Sequence, residues 1–91
     1  MATVSVIVPV YNGEKYIRET LDSLFAQTLA DFEIIVVNDG STDATVSVLE
    51  TCHDPRVRII NKSNGGTASA INLGITESNG QYIQILGADD I

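Results

Sequence analysis

Two periodicities divide the chain. Val4 to Val10 is rich in Val and Ile and ends at Pro9-Val10-Tyr11-Asn12-Gly13; Asn-Gly marks a turn, so a first strand with its exit loop is predicted. Ile17, Leu21, Leu24 and Phe25 then fall at i, i+4, i+7 and i+8, with Arg18, Glu19 and Asp22 between them, the spacing of an amphipathic helix. A second strand is predicted from Glu33 to Val37. Asn38-Asp39-Gly40-Ser41-Thr42-Asp43 follows as turn and cap residues, with Ser41 or Thr42 as the expected cap of a helix carrying Val46 and Leu49 inward. Asp54-Pro55 closes that segment and Val57 to Ile60 makes a third strand. Asn64-Gly65-Gly66 turns the chain into a small-residue helix over about Thr67 to Ser78, which Asn79-Gly80 ends. The apolar run from Tyr82 to Leu86 reads as a fourth, buried strand.

Strand and helix thus alternate, and the strands lack a clean polar face. This predicts an α/β fold, a Rossmann-like three-layer half fold (β-α-β-α-β-α-β) with a mainly parallel sheet covered by helices on both sides. Right-handed crossovers in such a sheet bring the ends of all strands to one edge, where ligands of open α/β sheets bind. Tyr11-Asn12, Asn38-Asp39-Gly40, the Lys62 loop and Ala88-Asp89-Asp90 are expected there.

A length of 91 residues and 44% hydrophobic content suit one globular domain. The longest uninterrupted apolar run is Ile34-Ile35-Val36-Val37, far below the roughly 20 residues that span a bilayer. Met1-Ala2-Thr3 lacks a basic n-region, which argues against a signal peptide. The single Cys52 forms no internal disulfide, and with His53 alone beside it no zinc site is expected; Cys52 reads as a core-facing helix residue and His53 as a surface residue. A soluble, cytoplasmic chain follows. Five basic against 12 acidic residues give a formal charge of −7 with no basic cluster, which excludes nucleic-acid polymer as a partner. A small phosphorylated ligand stays open if a metal ion or helix N-termini supply positive potential.

Asp89 and Asp90 follow the fourth strand directly, and adjacent carboxylates at a strand's end suit a hard divalent cation with oxygen ligands. Each polar loop taken singly is also explained by turn geometry; four of them converging on one rim favour a binding cleft.

Val6-Ile7-Val8-Pro9-Val10-Tyr11-Asn12, Ile35-Val36-Val37-Asn38-Asp39-Gly40-Ser41-Thr42-Asp43, Asn64-Gly65-Gly66 through Ala70-Ile71-Asn72-Leu73-Gly74, and Gly80-Gln81-Tyr82-Ile83 to Asp89-Asp90 together resemble the successive motifs of family 2 glycosyltransferases. The resemblance covers essentially the whole chain. It implies the N-terminal part of a GT-A fold, a nucleotide-diphosphate-sugar donor, most often a UDP-sugar, and Mg2+ or Mn2+. Residues 1–91 are then expected to be the nucleotide-sugar-binding domain, cut after the Asp-x-Asp-like motif. The resemblance assigns nucleotide contacts to Pro9, Tyr11, Glu14 and Asp39, and metal ligation to Asp89, with Asp90 beside it.

Chemistry accommodates these roles. The Asp39 carboxylate can accept the imide N–H of uracil; the competing role is that of a turn or helix-start aspartate, which Asp43 fills equally well. The Tyr11 ring offers stacking worth roughly 1–3 kcal/mol, against simple rim packing. Glu14 sits at the family's acidic position, although the helix macrodipole favours an acid in a first turn anyway. A divalent ion stabilises the charge that develops on the leaving diphosphate.

Two positions depart from the family pattern. Gly87 stands where many relatives carry the first Asp of the metal motif, and Ile71 where many carry Arg. No residue here is assigned as the general base of an inverting transfer, which is expected beyond the C-terminus. The intact protein is expected to transfer sugar with inversion to a glycan, lipid-linked or other acceptor, in the cytoplasm or at the inner face of the membrane, while this chain alone is expected to be inactive. The competing reading is a non-catalytic nucleotide-binding or interaction module of the same fold. A nucleotidyltransferase ranks behind both, because the loop from Pro9 to Glu14 is neither Gly-rich nor basic. The apolar fourth strand is expected to support a homodimer by edge pairing.

Overall fold

The computed structural model describes residues 4–26, 32–51, 54–78 and 82–86. β1 (Val4–Val10), α1 (Ile17–Phe25), β2 (Phe32–Asp39), α2 (Thr45–Glu50), β3 (Val57–Lys62), α3 (Thr67–Glu77) and β4 (Tyr82–Ile85) follow one another, and the four strands form a parallel sheet in the order β3-β2-β1-β4. The expected α/β half fold is therefore present. β2 and β3 each run two residues further at their carboxyl ends than the apolar pattern indicates, so Asp39 and Lys62 are in-register partners inside the sheet.

Strand alternation distributes the β-branched residues to two cores. Val6, Val8, Val10, Ile34 and Val36 pack with Ile17, Leu21 and Leu24 of α1 and Leu49 of α2. Ile7, Ile35 and Val37 point to the opposite face and pack with Ala70 of α3. Each fully buried aliphatic side chain contributes about 1.5–3 kcal/mol of transfer free energy, which is why β1 and β2 tolerate no polar face. α3 approaches closely: a Cβ on Gly74 would lie 2.5 Å from Ile7 Cγ2. Its small-residue composition is thus a packing requirement.

Three expectations change. β4 is not buried: among the described residues it is an edge strand, paired with β1 alone, and Tyr82 is 67% exposed with Ile83 and Ile85 also open. The reason is coverage, since α3 lies over β1 and β2 and no described element lies over β4. Neither Ser41 nor Thr42 caps α2. Both are engaged by Asn12 across the sheet edge, and Asp43 Oδ1 accepts the Thr45 N–H at 2.9 Å instead. Val46 is only half-buried; Val48 packs with Leu49 against the core. Cys52 and His53 lie outside the described residues, and among the described residues no helix is long and apolar enough to cross a membrane.

The winding places the site. From β1 the chain proceeds outward through β2 to β3, then returns to the other side of β1 for β4. The sheet order reverses at β1, and the crevice beyond the carboxyl ends of strands at such a reversal is where open α/β sheets take ligands.

Candidate functional site

The loops after β1 and β2 are joined by side-chain bonds. Asn12, the one non-glycine residue with positive φ (51°) among those described, donates its N–H to Ser41 Oγ at 2.9 Å and accepts the Thr42 N–H on Oδ1 at 2.7 Å. Asparagine tolerates this left-handed backbone. The Gly13 N–H donates to Thr45 Oγ1 at 2.9 Å, and the Glu14 N–H reaches Asp43 Oδ2 at 3.4 Å. Burial pushes the Asp43 carboxyl up, but bonds from the Thr45 hydroxyl and N–H outweigh it and hold it below its ordinary value. Tyr11 and Glu14, exposed on either side of this joint, are thereby presented from a pinned loop.

Asp39 ends β2 with a carboxylate bonded entirely within the chain. Oδ1 accepts Lys62 Nζ at 2.8 Å and the Gly65 N–H at 2.9 Å. Oδ2 accepts the Gly66 N–H at 2.9 Å, with Asn64 Nδ2 more distant at 3.4 Å. The Lys62 hydrogen bond, then that of Gly65, holds the Asp39 carboxyl below its ordinary value against the opposing effect of burial. The acid therefore organises the turn that starts α3. Gly40 makes this possible: it has φ +71°, and a Cβ there would lie 2.6 Å from Asn64 N. Asn64 Nδ2 also donates to the Asp39 carbonyl at 3.0 Å, closing the turn onto the end of β2.

Tyr11, Glu14 and Asp39 are thus brought to the carboxyl edge of the sheet. Pro9 is not on the rim. It is buried in β1 opposite Val37, and its missing N–H costs no described ladder bond, since the described β4 pairing ends at Ile7–Ile85. Asp89 and Asp90, the expected metal ligands, and Gly87 lie outside the described residues. Among the described residues no group of three or more His, Cys, Asp or Glu is placed to hold a metal ion. Asn12 and Asn64 have positioning roles that sequence reading did not assign, because their partners lie 25 to 30 residues away; Asp43 fills the expected helix-start role at Thr45 and adds a bond from the Glu14 N–H, 29 residues away. The signal available in the sequence was the density of Asn and Asp in loops destined for one edge.

Similar solved structures bear on what such an edge belongs to. That of S. aureus TarS 1–349 in complex with UDP-GlcNAc matches 96% of this chain with TM-score 0.89 and 35% identity, covering 26% of the TarS chain. Mannosyltransferase PcManGT from Pyrobaculum calidifontis, in complex with GDP-Man and Mn2+, matches 94% of this chain with TM-score 0.86 and 33% identity, over 27% of its own chain. The fold is that of the N-terminal part of GT-A glycosyltransferases. Residues 5–91 match the glycosyl transferase family 2 profile, and the chain belongs to that family. In sequence it is 48% identical over 89 residues to EpsJ of Bacillus subtilis (strain 168), an uncharacterized glycosyltransferase, covering 96% of this chain and 26% of EpsJ. The chain spans about a quarter of the length of EpsJ, of the PcManGT chain and of the TarS 1–349 chain.

Proposed function

We propose that this chain is the donor-binding part of a glycosyltransferase that moves a sugar from a nucleoside diphosphate, UDP in the first instance, to a glycan or lipid-linked acceptor with inversion. The observation that carries the reading is a buried carboxylate, Asp39, at the carboxyl end of β2, beside a pinned, exposed tyrosine, Tyr11, at the end of the adjacent β1. Such a pair supplies one acceptor for a base N–H and one ring for its face. Glu14 lies on the same loop, and Pro9 shapes the strand end beneath it.

Asp89 and Asp90 would hold the divalent ion, Mg2+ or Mn2+, whose chemistry is to neutralise charge on the leaving diphosphate. PcManGT in complex with GDP-Man and Mn2+ supports that choice by analogy. The general base is assigned to no residue of this chain. The exposed apolar face of β4 supports self-association through its edge, and a monomeric mass by light scattering at high concentration would count against it.

The test is a titration of the isotope-labelled protein with UDP, with and without Mn2+. Metal-dependent amide shifts at Asp39, Asp89 and Asp90 are expected. No shift at millimolar UDP would overturn the donor-binding role.

A further inference from the structure

The chain contains three Asn-Gly dipeptides, Asn12-Gly13, Asn64-Gly65 and Asn79-Gly80, and such a dipeptide carries its own reaction. The Gly nitrogen bonds to the side-chain Cγ of the asparagine, the bond from Cγ to the side-chain nitrogen breaks, and ammonia leaves with the proton that the Gly N–H gives up. The product is a five-membered succinimide. Water then opens the ring at either carbonyl and leaves aspartate or isoaspartate. Glycine permits the closure most readily, because no Cβ stands in its way.

The two described copies are held out of this reaction by different means; Asn79-Gly80 lies outside the described residues. At Asn12-Gly13 the nucleophile is buried, its N–H donated to Thr45 Oγ1 at 2.9 Å. Asn64 and Gly65 are exposed, so water reaches both and burial protects neither. Their restraint comes from Asp39. Oδ1 accepts the Gly65 N–H at 2.9 Å, and the Asp39 carbonyl accepts Asn64 Nδ2 at 3.0 Å. Ring closure requires Gly65 N to give up its proton and Asn64 Cγ to swing onto it; the first step breaks one of these bonds and the second the other. Rotation of the Asn64 side chain is further limited by Gly40, where an added Cβ would lie 3.0 Å from both Cα and Cβ of Asn64.

We propose that Asn64-Gly65 is a latent self-modification site, whose spontaneous deamidation Asp39 holds off and which converts only when the turn before α3 opens. The inference stands apart from what this edge binds. Conversion is one-way. Aspartate at position 64 would set a carboxylate against the Asp39 carbonyl and carboxylate where an amide N–H now donates. Isoaspartate would add a methylene to the backbone ahead of Gly65, so that the Gly65 and Gly66 N–H groups no longer match the two Asp39 oxygens they now reach. Each opening thus risks permanent loss of the turn, and the frequency of opening sets the working life of this edge.

The experiment incubates the full gene product containing this chain in mildly alkaline buffer, folded and in urea, and follows aspartate and isoaspartate at positions 12 and 64 by peptide mapping with fragmentation that localises each. Folded wild type is expected to convert Asn64 at least about tenfold more slowly than the unfolded protein. Folded Asp39→Ala is expected to raise conversion at Asn64 about tenfold, because each charge-assisted bond lost favours the open turn by about that factor, and to leave Asn12 at its wild-type rate. Equal rates at Asn64 in folded and unfolded wild type, or an unchanged rate at Asn64 in folded Asp39→Ala, overturns the proposal. If Asp39→Ala does not fold, so that both sites accelerate together, Gly40→Ala decides, since it pushes on the turn while keeping Asp39: a rise at Asn64 alone is expected, and no rise there overturns the proposal.

Discussion

Two acid–base pairs sit at opposite ends of the sheet and are built differently. At the amino edge Asp54 and Arg56 are two residues apart and joined by two side-chain bonds at 2.8 and 3.0 Å, with the Arg56 N–H adding a third. The guanidinium lies 4.8 Å from the Phe32 ring centroid and 5.4 Å from that of Phe25. At the carboxyl edge Asp39 binds Lys62, Gly65 and Gly66, from 23 to 27 residues away. The first pair is a local fork with its cation stacked on aromatic faces, so its main bonds close within three residues. The second joins two loops through a point charge on a flexible stem, which can share its bonds with an incoming group. A closed pair fastens a structure; an adjustable one can read a ligand.

Substitutions separate the two. Asp39→Ala is expected to weaken UDP binding by about 100-fold or more, because it removes the proposed base acceptor and frees the turn before α3 together. Asp54→Ala should leave UDP affinity within about twofold. Equal losses of affinity from the two would erase the functional difference between the pairs. Gly40→Ala comes next: its φ of +71° and the 2.6 Å approach to Asn64 N mean that a methyl group must push the Asn64 turn off the end of β2. Binding should fall about tenfold, with a lower Tm.

Asp54→Ala produces the smallest change, a Tm lower by about 5 °C in a scan at neutral pH. That difference should vanish in acid. The Arg56 side chain and N–H hold the Asp54 carboxyl at about 2 in the folded protein, below the value of about 3.9 in an unfolded chain. A depressed folded-state pKa contributes stability above the unfolded value that is lost as pH falls through the folded one. Wild type and Asp54→Ala should therefore converge between about pH 4 and pH 2. A gap that persists at pH 2 would assign the effect to packing of Arg56 on the two rings rather than to charge.

The sequence shows the strands and helices because β1 and β2 carry continuous β-branched runs and α1 a plain helical spacing. It also brings Tyr11, Asn12, Asp39 and Lys62 to one edge, since parallel strands leave no other place for their exit loops. It does not show that Ser41 and Thr42 answer to Asn12 rather than to α2, because local cap preference and a partner 29 or 30 residues away compete for the same atoms. Nor does it show the exposure of β4: an apolar run reports what a strand prefers to touch, and coverage depends on where α3 lies. The internal use of Asp39 was hidden for a similar reason, as the acid's partners become visible only once the Asp39–Lys62 register is known.

The bare position of β4 also grades protection from solvent across the sheet. Among the described residues the buried members of both cores run from Val6 to Ala70, and β4 contributes ladder bonds along β1 and the flank of Leu86. Among the described residues β4 is therefore the strand held by the least packing. Amide hydrogens of Tyr82 to Ile85 are expected to exchange with solvent ahead of those buried between β1 and β2, which would leave the β1 edge beneath them the first backbone of the sheet to meet water.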